Sequence, residues 1–145
     1  MPFEFKVLPA RRLCFFRMSG VLTVREGRAR FLDYMATDLF DPRFTLFTDA
    51  TAVDSAEVSF TELFMALVGM QAALRRFDQP LDSVFLLGNE TMFGTARMLQ
   101  QALALTTKIN MLPTLSEAEA LAWAGVEVPL AQLRAEAGFA VVEVG

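Results

Sequence analysis

Asp49, Asp54 and Ser55 are the residues of this 145-residue chain that come nearest to a reactive constellation. The two carboxylates follow a run of strand-forming residues, Phe44 to Thr48, and a pair of carboxylates at a strand end is suited to general acid–base chemistry. Turn and cap formation by Asp explains the same residues more simply. Beyond them the chain offers little. It has no histidine and a single cysteine, Cys14, so neither a Ser-His nor a Cys-His pairing can be assembled, and a zinc site lacks its usual ligands. There is no Gly-x-Gly-x-x-Gly and no Walker pattern. These residues argue for a protein that binds rather than one that catalyses, with no cofactor.

What the chain has in excess is apolar material. Hydrophobic residues make up 54% of it, including 14 Phe and 8 Met, more than the core of one ordinary domain consumes. The surplus points to a pocket, an oligomer interface or a membrane-facing patch. A net charge of −4 argues against nucleic acid as a partner, because that binding depends on clustered Lys and Arg. Cys14 cannot form an internal disulfide. It sits among Leu13, Phe15 and Phe16, where it reads as a small buried apolar residue, in keeping with a reducing, cytoplasmic setting. The N-terminus has no signal-peptide pattern, and no apolar run is long enough to span a membrane.

The surplus concentrates in two expected helices. From Ser59 to about Phe77, Phe60, Leu63, Phe64, Met65, Leu67, Val68, Met70 and Leu74 spread around more than the single stripe a covering helix needs. From about Glu90 to Thr107, Met92, Phe93, Met98, Leu99, Leu103 and Leu105 do the same. Flexible Met beside Phe suits an adaptable apolar site. The candidate lining is Phe60, Phe64, Met65, Met92 and Phe93. Arg97, one turn beyond Phe93, is the candidate contact for an acidic end of the ligand. Packing of these helices on the sheet and on each other explains the same residues more simply, and a homodimer face is a further competing use.

The elements that position these residues follow from the pattern. Phe3, Phe5 and Val7 alternate with Glu4 and Lys6, as in a half-buried strand. Pro9 to Arg12 reads as a turn, and Leu13 to Met18 is a more central strand of the same hairpin, ended by Ser19-Gly20. Thr23 with Glu26 opens a helix to about Phe40, ended by Asp41-Pro42. Phe44 to Thr48 is the third strand, followed by a loop over residues 50–58. Ser59 with Glu62 opens the next helix; Val84 to Leu87 is a strand; Asn89 caps the following helix. Ile109 to Leu112, a capping box at Ser116 and Glu119, a stop at Gly125 and a short helix from Pro129 complete the order, with strand character in residues 139–144. Trp123 reads as a plug beneath the last helix. Buried strands alternating with helices specify an α/β fold: a mixed, mainly parallel five-stranded sheet with helices on its faces. Ligands of such sheets gather at the carboxyl ends of the strands, here the loops at 49–58, Gly88-Asn89 and Pro113-Thr114, whose helix N-termini suit an anion.

Several of these segments, in this order, resemble the SpoIIAA-like family. They are Ser19 to Thr23, Phe40 to Phe44, Asp49 at a strand end, Phe93 to Met98, and Ala120 to Trp123. The resemblance covers about residues 3 to 124, so residues 1–125 read as a SpoIIAA-like domain and 126–145 as an extension packed on it. It implies a STAS-type fold, a group also compared with CRAL-TRIO lipid carriers, and no established activity. The comparison with lipid carriers implies a small apolar molecule or lipid as ligand, or a peripheral membrane contact. The anti-sigma antagonist branch of the family carries Asp-Ser-Ser-Gly with a phosphorylated serine. Here Asp54-Ser55 matches, but Ala56 and Glu57 depart from it, and a glutamate beside a phosphate is repulsive. Two expectations follow. The first is a non-enzymatic module for an apolar or amphipathic ligand. The second is a protein-interaction regulator whose phosphoacceptor loop is Asp54-Ser55.

Overall fold

The computed structural model describes residues 3–139; the expected strand at 139–144 lies almost wholly outside them. Five strands form one sheet in chain order: β1 (Phe3–Leu8), β2 (Leu13–Thr23), β3 (Thr45–Glu57), β4 (Leu81–Leu87) and β5 (Ile109–Thr114). β1 pairs antiparallel with β2 across a tight turn in which Arg12 takes a left-handed conformation, and all later pairings are parallel. The connecting helices are α1 (Val24–Met35), α2 (Phe60–Gly69), the short α3 (Gln71–Leu74) and α4 (Met92–Thr106). α5 (Glu117–Trp123) and α6 (Leu130–Ala137) follow the last strand. The result is the mixed, mainly parallel α/β sheet expected from the sequence.

The helix starts are set by local chemistry. Thr23, Ser59 and Ser116 each accept a hydrogen bond from the backbone N–H three residues on, at 3.3, 3.1 and 3.1 Å. Each satisfies one of the donors a helix leaves free at its first turn. Asn89 does the same for Met92 N at 3.2 Å.

Two cores follow from the two faces of the sheet. Alternation along β2 sends Cys14, Phe16 and Met18 to one side and Leu13 and Phe15 to the other. The first side is covered by α1 to α4, the second by α5 and α6. On the second side Leu13, Phe15, Phe47, Val84 and Leu133 are fully enclosed. α6 is further tied down by the bidentate pair of Arg11 with Glu136, at 2.7 Å for each bond.

Four expectations are corrected. α1 stops at Met35 rather than Phe40, because Thr37 Oγ1 bonds back to the Tyr34 carbonyl and Tyr34 Oη bonds to the Asp41 carbonyl, turning the chain. The helix from Ser59 breaks at Met70 and ends at Leu74. Trp123 is 40% exposed, not a core plug. The largest change concerns residues 50–58: most of the expected loop is strand, since β3 runs to Glu57 beside an equally extended β2. Its small and polar residues suit a turn locally, but pairing with β2 supplies their backbone hydrogen bonds and overrides that preference. The pairing skips a residue near Ala50-Thr51 and again at Asp54, so both sites are bulged.

Candidate functional site

Under α1, α2 and α4 the sheet leaves a cavity of about 180 Å³. Small residues take part in its wall from both layers: Ala50 and Ser83 on the strands, Ala66 of α2 and Ala96 of α4. Leu63, Leu67 and Met70 form the inward stripe of α2, and Met92, Ala96, Leu99 and Leu103 that of α4, both at helical spacing. Four of the eight methionines, Met18, Met70, Met92 and Met111, line the space. An unbranched thioether adapts its shape to a guest better than a branched aliphatic chain.

The wall is almost wholly apolar. Thr48 and Ser83 place two buried hydroxyl-bearing side chains among the strand residues, and Thr23 and Thr95 add polar atoms from the helix side. Its one charged residue, among those described, is Arg28 of α1. Between α1 and α2 a surface cleft lies against the same place: Val24, Arg28 and Ala66 line both it and the cavity.

The residues singled out from the sequence are distributed around this cavity rather than gathered in it. Met92 is buried and lines it. Phe60, Phe64 and Met65 do not: Phe60 shares the face of Leu67 but is the first residue of α2, while the 100° step of the helix carries Phe64 to the flank and Met65 to the outside. Phe60 and Phe64 stack on one another at 5.9 Å, and Met65 is 61% exposed. Phe93 is half-buried against the core, and the exposed Arg97 sits over its ring, 5.9 Å from the centroid. Asp54 and Ser55 are exposed near the end of β3, on strand rather than loop. The inward residues were legible only as the stripe shared by Leu63, Leu67 and Met70, which the extra apolar residues of α2 obscured.

Asp49 is employed on the other side of the sheet. It is 1% exposed, and its Oδ2 accepts from Arg134 Nε of α6 at 2.8 Å. Its Oδ1 accepts from Thr51 Oγ1 at 2.6 Å and from Thr51 N at 3.2 Å. Arg17, also buried, is the residue paired beside it in register on β2. Both carboxylate oxygens thus have partners in a charge-assisted network that fastens α6 to β3, within the strand rather than at the strand end expected for Asp49. Asp54, exposed at the bulge, is not part of it. Cys14 is fully enclosed on the cavity side of β2, and burial pushes its thiol pKa well above the ordinary range.

No family model matches this chain, and no curated protein matches it. Among solved structures it is similar to an uncharacterized protein of the DUF3478 family with a SpoIIAA-like fold, from Shewanella loihica PV-4. The two are 13% identical, the TM-score is 0.53, and the match covers 84% of this chain and 93% of that one. A second match is to the anti-sigma factor antagonist SpoIIAA in its unphosphorylated form, at 14% identity and a TM-score of 0.46, covering 85% and 97%. The fold of this chain is SpoIIAA-like, of the STAS type. Among the described residues, no helix is long and apolar enough to cross a membrane.

Proposed function

We propose that this protein is a non-enzymatic binding module for a small apolar or amphipathic molecule, held between the sheet and helices α1, α2 and α4. The observation that carries this reading is the cavity of about 180 Å³ with its almost wholly apolar, methionine-rich wall. An apolar space of this size is comparable to engineered cavities of about 150 Å³ that admit benzene. Small facing residues left in place of a filled core cost packing energy, which a bound guest would recover.

The outer stripe of α2 supports a second role for the same helix. Phe60, Met65 and Val68 are exposed there at 37, 61 and 43%. Such a stripe suits contact with a membrane surface from which the ligand is loaded, or with a second copy of the chain. The exposed Ser55 is the observation that favours the alternative, a protein-interaction regulator built on the end of β3.

The test of the cavity reading is native mass spectrometry of the purified protein beside a solvent extract of the same sample, on wild type and on Ala96→Phe. Ala96 faces the space, so the added ring occupies it. A bound apolar mass in the wild type that is absent from a folded Ala96→Phe protein is the expected result. The same mass retained by that variant would place the ligand elsewhere and overturn the reading.

A further inference from the structure

The cavity's charge and size narrow the chemistry of its guest, resting on the reading above. Arg28 is the single charged residue of the wall among those described, and no ion pair or hydrogen bond within them engages its side chain. It stands where the cavity meets the cleft between α1 and α2, with Val24 and Ala66 on both sides of that boundary. Arg25 lines the same cleft, and Glu62 is its one carboxylate, so the mouth keeps a positive balance. Arg28 is itself exposed, so a guanidinium on a residue that lines both the apolar cavity and the surface cleft is placed to pair with an anion whose own body lies inside. The volume sets the size of that body. If about 150 Å³ holds the six carbons of benzene, 180 Å³ holds about six to eight carbons, well short of a full-length membrane acyl chain.

We propose that the ligand is a small amphipathic anion: a carboxylate or similar acid with a body of about six to eight carbons in the cavity, entering between α1 and α2 and holding its charge against Arg28. Arg97 lies outside the cavity wall, over Phe93, and takes no part in this contact.

The test uses octanoate and the neutral 1-octanol as matched probes, titrated into the full chain carrying 13C-methyl methionine. Met18, Met70, Met92 and Met111 report the cavity directly, and Met98, which lines neither the cavity nor the cleft, serves as an external control. Octanoate is expected to shift the cavity methyls and to bind about tenfold more weakly to Arg28→Gln, the loss of one charge-assisted contact. Arg28→Lys should recover part of that loss. Octanol should bind wild type and Arg28→Gln alike, and Arg97→Gln should leave octanoate binding unchanged. If both probes shift the cavity methyls but Arg28→Gln binds octanoate as wild type does, or Arg97→Gln is the variant that weakens it, the assignment of Arg28 is overturned while the cavity reading stands. If neither probe moves those methyls, the cavity reading itself fails and the assignment with it.

Discussion

The two faces of the sheet are built from similar residues to opposite ends. Under α5 and α6 the packing is closed: Phe15 and Phe47 meet edge-on at 5.6 Å, Leu133 is fully enclosed, and α6 is fastened to β3 by Arg134 on Asp49. Under α1 to α4 lie more helices and more aromatic pairs, yet a cavity remains whose wall includes Ala50, Ala66, Ser83 and Ala96. The contrast teaches that an apolar surplus is not evenly spent. One side holds the fold together, and the other keeps room for a guest.

The comparison can be broken most severely on the closed side. Phe47→Ala removes a fully buried ring from a core without slack, and a loss of about 3–5 kcal/mol is expected in urea unfolding. A loss near 1 kcal/mol would show that this face relaxes and is not tightly filled. Next comes the latch. Arg134→Ala removes the charge-assisted bond at Oδ2 of a buried carboxylate, and a cost of about 2–3 kcal/mol is expected from chemical denaturation. No measurable change would reduce the pair to an ordinary surface bridge.

The open side should respond in the other direction. Adding methyl groups to a full core costs about 1–3 kcal/mol. Ala96→Leu should instead fall between no change and a gain of about 1 kcal/mol, because the new atoms enter existing space. A clear destabilisation in thermal melts would mean that the cavity is smaller in solution than about 180 Å³. The smallest effect concerns Cys14. Its thiol pKa is raised by burial, so the folded state holds its proton where the unfolded state gives it up. The associated stability is complete below the ordinary thiol value of about 8.5 and declines as the pH rises beyond it. Cys14→Ala should flatten that alkaline decline, and wild type should resist alkylation at neutral pH until it unfolds. Rapid labelling under native conditions would show instead that the cavity side opens readily.

How much of this was legible in the sequence depended on whether the signal was local. The capping pairs at Thr23, Ser59 and Ser116 placed three helix starts, because the side chain and the N–H it serves are three residues apart. The strands Phe3 to Val7 and Val84 to Leu87 carried their burial in their own composition. The extension of β3 did not. Thr51, Asp54 and Ser55 are strand residues only because β2 lies alongside, a partner the local pattern does not contain. The site failed to show for a related reason. A cavity is made by what is missing between residues far apart in the chain, and Ala50, Ala66, Ser83 and Ala96 carry no signal alone. Gly88 is a similar case: a side chain there would place its first carbon 2.6 Å from the Thr51 carbonyl oxygen, a demand visible only once β3 and β4 lie together.

The order of the strands across the sheet equals their order along the chain. Each strand therefore adds to the one made just before it, and the sheet can grow in step with synthesis from the N-terminus. That keeps its closures shorter than in a sheet that must insert late strands between early ones, which favours rapid assembly for a parallel architecture. The contacts of α6 are different: Arg134 meets Asp49 85 residues back, and Glu136 meets Arg11 125 residues back. Both early partners emerge long before α6 does, so this helix closes onto a sheet whose five strands all precede it.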